Sequence, residues 1–175
     1  MSLGSDPARS IETLGASNVA SVWDDARLQR LWLSTQRREW RSLAIIGATR
    51  EVDTLWVAEM IAKLAWSYRG TPSCVFDLRD LSLRLVAHHE QDVAAQVREG
   101  QTVTIALRSI FENPTAVPMA RSADAVLLCL RLGATDLKAA EQTIAEVGRD
   151  RLIGAIVVRE AEGQRPATTP EKTGT

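Results

Sequence analysis

Five short apolar runs, at residues 43–47, 73–77, 102–107, 125–131 and 152–158, recur along the chain with longer segments of a different periodicity between them. Each run is too short to stand as a helix and reads as a buried strand. The intervening segments carry helical spacing. Residues 22–40 bring Trp23, Leu28, Leu31 and Trp32 near one face, and residues 53–68 do the same with Trp56, Val57, Met60, Ile61, Leu64 and Ala65. A third helix is expected over 86–98, and a fourth over 135–147, opened after Gly133 and closed at Gly148. Strands alternating with helices require right-handed crossovers and a mostly parallel sheet flanked by helices, a three-layer α/β fold. In such sheets ligands gather outside the carboxyl ends of the strands.

With 175 residues and 45% hydrophobic content, the chain can bury one good core, so a single domain is expected over residues 21–159. Residues 1–20 and 160–175 read as flexible ends, the latter because Gly163, Pro166, Pro170 and Gly174 lie among threonines and charges. A net charge of −1 and a pI near 6.1 call for neither nucleic acid nor an anionic membrane as partner. Cys74 and Cys129 fall inside apolar runs without zinc-type spacing and read as small buried hydrophobes. No apolar run reaches the roughly 20 residues that span a bilayer. A cytoplasmic protein is the expectation.

The segment from Ser42 through Leu55 reads as a strand, a turn and the start of a helix, the layout of a phosphate-binding loop. Such a loop needs glycines that close around phosphate, a Lys that reaches it and a Ser or Thr that holds Mg²⁺. Gly47, Ala48, Thr49, Arg50, Glu51, Val52, Asp53, Thr54 and Leu55 do not supply that set. The layout points to nucleotide-binding ancestry and the residues to a weakened or dead site, which favours a protein–protein role over catalysis.

Four pieces, spanning about three quarters of the chain, carry a resemblance. Asp24-Asp25-Ala26-Arg27-Leu28-Gln29-Arg30 is similar to an acidic-x-x-Arg-x-x-Arg helix motif. The stretch from Ile46 to Ala62 is similar to a strand, phosphate loop and helix ending in Thr-Val-Ala-x-Asn-Leu-Ala, here Trp56-Val57-Ala58-Glu59-Met60-Ile61-Ala62. The run from Gly70 to Asp80 resembles a strand that closes on an Asp-rich phosphate-site motif, with Asp77 at its first aspartate. The most specific piece runs from Ala123 to Thr135 and resembles Ala-Asp-x-Val-Leu-Leu-Val-x-Arg-x-Gly-x-Thr. Together they resemble the cytoplasmic ATPase domain of the bacterial tyrosine kinases of capsule and exopolysaccharide synthesis, relatives of the septum-site and partition P-loop ATPases. The resemblance implies a P-loop-like fold, an oligomer interface at Asp24, Arg27 and Arg30, and a residual magnesium or phosphate ligand at Asp77.

The departures from the family's pattern concern chemistry. In one register the family's Lys falls on Thr54, its Gly on Asp53 and its Mg²⁺-binding hydroxyl on Leu55; a one-residue shift puts Asp53 at the Lys position. Either register turns a carboxylate toward polyphosphate, where like charges about 4 Å apart repel by on the order of 4 kcal/mol. After the third strand, Arg108 and Ser109 stand where a metal-positioning aspartate is expected, and Asn113-Pro114 replaces a Pro-Pro turn. Tyr68 is the single tyrosine, and the last 16 residues hold none to be phosphorylated. Mg²⁺-assisted phosphoryl transfer therefore lacks its usual electrostatics. The expectation is a catalytically inactive regulatory or scaffolding partner in bacterial exopolysaccharide or capsule synthesis and export, with ATP and Mg²⁺ binding weak or absent. It would dock on an inner-membrane co-polymerase or an active paralogue, or on itself. The alternatives are a divergent nucleotide-binding ATPase in which Arg50 or Lys63 replaces the missing cation, and a cell- or chromosome-positioning relative.

Plainer roles stand beside these. Asp24, Arg27 and Arg30 also fit a solvated helix face, Asp53 an N-cap, and Asp77 a strand end held by backbone amides. His88 and His89 are adjacent on a helix and do not share a face, which argues against a metal pair. Of the tryptophans at 23, 32, 40, 56 and 66, one or two are expected to stand exposed as contact anchors.

Overall fold

The computed structural model describes residues 8–10, 26–50, 52–133 and 135–158. In chain order the elements are β1 (Ala8–Ser10), α1 (Ala26–Thr35), β2 (Ser42–Gly47), α2 (Thr54–Arg69), β3 (Ser73–Asp77), a 3₁₀ turn (Leu83–Leu85), α3 (Val86–Arg98), β4 (Thr102–Leu107), α4 (Ala116–Ser122), β5 (Ala125–Arg131), α5 (Leu137–Val147) and β6 (Leu152–Val158). The sheet order is β1-β3-β4-β2-β5-β6. Strands β2 to β6 are all parallel, and β1 adds an antiparallel edge. From β2 the chain passes over β4 to reach β3, returns to β4, then crosses β2 to lay down β5 and β6. The winding therefore reverses at β2, whose carboxyl end opens the crevice where sheets of this kind take ligands.

Alternate residues of each strand feed opposite layers. Ala44, Ile46, Phe76, Ile105 and Leu128 pack with Val93 of α3, Met119 of α4 and Val147 of α5. Leu43, Ile45, Val75 and Leu127 pack on the other side with Trp32 of α1 and Val57, Ile61 and Leu64 of α2. Every residue of β2 and β4 is buried. This burial on both faces explains why the strands read as unbroken apolar runs. Cys74 and Cys129 are buried and unpaired. Burial, with Glu99 nearby, pushes the Cys74 thiol up to about 12, so it is no thiolate at neutral pH.

Asp53 caps α2 by accepting the Trp56 N–H at 3.2 Å, and Gly70, at φ 65°, turns the chain out of the helix. Helix α1 ends at Thr35, short of the end at Trp40 expected from its spacing, while residues 22–25 lie outside the described residues. Ser34 and Thr35 donate their hydroxyls to the Leu31 and Trp32 carbonyls, both at 2.7 Å, and such local bonds compete with continued helix. The chain then folds back, and buried Trp40 donates its indole N–H to the Thr35 carbonyl. Helix α4 was not expected from periodicity. Seven residues show little of it, and Pro118 sits in the first turn, where an N–H has no intrahelical partner to lose. Strand β1 lies within the N-terminal segment read as flexible. It pairs antiparallel with β3, Ala8 opposite Phe76 and Ser10 opposite Cys74. Otherwise residues 1–20 and 160–175 lie outside the described residues.

The specific Ala123-to-Thr135 stretch has a structural job at both ends. Asp124 accepts the backbone N–H groups of Arg41 and Ser42, each at 2.9 Å, while its own N–H donates to the Ser42 hydroxyl. This clamps the starts of β2 and β5 together. At the far end the Arg131 N–H donates to Thr135 Oγ1 at 2.8 Å and the Thr135 N–H to the Arg131 carbonyl at 3.1 Å. Partial burial would raise the Asp124 carboxyl, but the bonds from Ser42 and Arg41 outweigh it and hold the group below the usual aspartate range. Asp124→Ala is expected to cost about 1–3 kcal/mol at neutral pH in urea unfolding, because two amides lose their acceptor. The wild-type advantage is complete above the ordinary aspartate range and disappears as pH falls through the lower folded value. A gap that persists undiminished in strong acid would contradict this assignment.

Candidate functional site

The loop after β2 is drawn tightly over the strand end. The Ala48 N–H donates to the Cys129 carbonyl at 2.9 Å, and a Cβ on Gly47 would come within 3.0 Å of the Thr49 carbonyl oxygen. Arg50 extends into solvent and pairs through Nε with Glu112 at 3.3 Å. The Val52 carbonyl accepts the Thr54 N–H, and Val52 and Leu55 are half-buried against the α2 side of the core. Thr54 is buried and donates its hydroxyl to the Leu107 carbonyl at 2.9 Å. Ser109, just past β4, donates to the Ala48 carbonyl at 3.3 Å, tying the two strand ends together. Asn113 bonds the Arg79 and Leu81 carbonyls and so joins the loops after β3 and β4. Glu51 and Asp24 lie outside the described residues.

Asp77, at the end of β3, is gripped by Arg79. Nε and a terminal nitrogen of that guanidinium reach the two carboxylate oxygens at 2.8 and 2.9 Å. The third nitrogen lies 3.7 Å from Asp53 Oδ1. The hydrogen bond to Asp77 raises the Arg79 pKa further; burial opposes this, and the nearby carboxylates of Asp77, Asp53 and Asp80 add to it. Arg108 is fixed by Asp80 at 3.0 Å and faces Glu112 at 3.6 Å. Arg50, Val52, Asp53, Thr54, Arg79, Arg108, Glu112 and Arg131 line one cavity of about 350 Å³. The loop residues thus share an ion-pair network with the neighbourhood of Asp77. Among the described residues no group of three or more His, Cys, Asp or Glu side chains is placed to hold a metal.

Of the two cations offered as replacements, Arg50 lines this cavity. Lys63 lies nine residues beyond Thr54 on α2, about 13 Å along the helix. Sequence reasoning missed Arg79, Arg131 and Glu112 as site residues and took Arg108 only as a departure. A signal was present. An arginine follows within three positions of the last residue of β2 and β3, follows β4 directly, and ends β5. A parallel sheet collects those ends on one edge.

Arg27 and Arg30 are exposed on α1, on a second feature. With Leu28, Leu31, Ser34, Trp56, Met60 and Ile156 to Val158 they line a groove of about 810 Å³ between α1, the first turns of α2 and the edge strand β6. Trp56 is 51% exposed and Val157 55%. Trp32 and Trp40 are core residues, so the contact-anchor expectation falls on Trp56 among the described tryptophans. No helix among the described residues is long and apolar enough to cross a membrane. No protein-family model and no curated protein matches the chain.

Proposed function

We propose that this chain is a catalytically inactive P-loop-like protein that works by association, as a regulatory or scaffolding partner in bacterial exopolysaccharide or capsule synthesis. One observation carries the reading. Where magnesium nucleotide would sit, three groups that could serve it are engaged elsewhere: the Asp77 carboxylate by Arg79, the Thr54 hydroxyl by a backbone carbonyl, and Asp53 by the helix it caps. Arg27, Arg30 and half-exposed Trp56 line an apolar groove with positive charge at its rim. A partner that presents carboxylates beside an apolar side chain fits it, whether the cytoplasmic part of an inner-membrane co-polymerase, an active paralogue or a second copy. Charged pairs there would set register and specificity. The location is then cytoplasmic, at the inner membrane through that partner. Arg50 in the strand-end cavity favours a second reading, a divergent nucleotide-binding ATPase.

Incubation with Mg·ATP separates the two. The expected result is no phosphate release above background and an unmodified Tyr68 by mass spectrometry. Tyr68 is 14 positions along α2 from Thr54, about 21 Å from the loop, so its own loop cannot serve it. Stoichiometric phosphate on Tyr68, or turnover lost in Asp77→Ala, would overturn the proposal.

A further inference from the structure

We propose that the arginines gathered at the carboxyl edge of the sheet form a metal-independent site for a phosphate or pyrophosphate anion, with Arg50 and Arg108 as its principal grip and Glu112 as the carboxylate the anion displaces. The site stands independently of the association surface on α1. Four parallel strand ends deliver Arg50, Arg79, Arg108 and Arg131 to one cavity. Two of these guanidiniums are held in place from behind, Arg79 by both oxygens of Asp77 and Arg108 by Asp80 at 3.0 Å. Their orientation is therefore set before any ligand arrives, which lowers the cost of binding.

The cavity lining sets two carboxylates, Asp53 and Glu112, among its four arginines, and Asp53 faces Arg79 at 3.7 Å. A single oxygen of Glu112 faces both Arg50 at 3.3 Å and Arg108 at 3.6 Å. Each guanidinium has five N–H donors in a planar fork that matches phosphate geometry. A phosphate group presents more acceptor oxygens and more charge than the Glu112 carboxylate, and can bond both forks at once. The same arrangement disfavours Mg²⁺, since a dication entering among four guanidiniums meets repulsion and finds Asp77 and Asp80 already paired. At about 350 Å³ the cavity lies at the small end of ligand sites, which run from about 300 to 1,000 Å³. That suits a compact anion.

The test is calorimetry with sodium pyrophosphate in EDTA on the full chain. Saturable binding is expected, weakened at least about tenfold by Arg50→Ala and by Arg108→Ala and tightened by Glu112→Gln. The exposed Arg98→Ala on α3 should leave it unchanged. Arg50 is largely exposed, so its replacement leaves the fold intact and keeps the test valid if Arg108→Ala unfolds. Added Mg²⁺ should weaken binding by masking the ligand's charge, and ADP should bind no more tightly than pyrophosphate. Absence of saturable binding, an equal loss in Arg98→Ala, or tightening by Mg²⁺ would overturn the proposal. So would a preference for ADP of more than about tenfold, which would make the site one for nucleotide.

Discussion

Arg27→Glu combined with Arg30→Glu is expected to abolish self-association or partner binding while leaving the monomer folded. Both side chains are exposed on α1 and rim the apolar groove that holds Trp56. Truncating one member of a desolvated interfacial charge pair costs about 2–5 kcal/mol, and reversing the sign adds repulsion. The same changes at an exposed helix position alter folding by about 0.5 kcal/mol or less. Trp56→Ala should act in the same direction, since a half-exposed indole beside arginines has the make-up of an interface anchor. Light scattering and pull-down with the cytoplasmic part of a co-polymerase would report the effect. Unchanged assembly in both assays would make α1 an ordinary solvated helix face.

Trp32→Ala is expected to lower stability by about 3–5 kcal/mol, the range for removing a buried aromatic side chain. Trp32 is 1% exposed and joins α1 to the rest of its layer. Its ring meets Trp40 edge-on at 6.2 Å between centroids and Tyr68 at 5.3 Å. The Arg69 guanidinium lies 5.3 Å from Trp32 and 4.3 Å from Trp40, and donates to the Trp40 carbonyl at 2.8 Å. The mutation would therefore open a cavity and release a half-buried arginine from one of its two aromatic faces. Trp32→Phe should cost clearly less, because the buried Trp32 indole N–H has no hydrogen-bond partner to lose. Urea unfolding followed by far-ultraviolet circular dichroism measures both. A loss under about 1 kcal/mol for Trp32→Ala would contradict the packing role.

Much of the fold was legible because its signals are local. Strands β3 to β6 appear as apolar runs with the bounds the sequence suggests, and α2 is announced by Asp53 before it. What was illegible leaves no hydrophobic period to read. Strand β1 is three residues long and pairs with β3, and α4 is too short to show a period. The end of α1 is set by Ser34 and Thr35 turning their hydroxyls onto the helix. The candidate site divides the same way. The loop and Asp77 stand out one at a time, each against the pattern of a phosphate site. The grip of Arg79 on Asp77 is local, but the sharing of Glu112 by Arg50 and Arg108 appears only when the ends of β2 and β4 meet on one edge.

The central claim is that this edge no longer serves magnesium nucleotide, and calorimetric titration with ATP in excess Mg²⁺ tests it most directly. The account predicts no nucleotide binding that Mg²⁺ strengthens, and no change in that result for Asp77→Ala. A dissociation constant in the low micromolar range that needs Mg²⁺ and is lost in Asp77→Ala would contradict it.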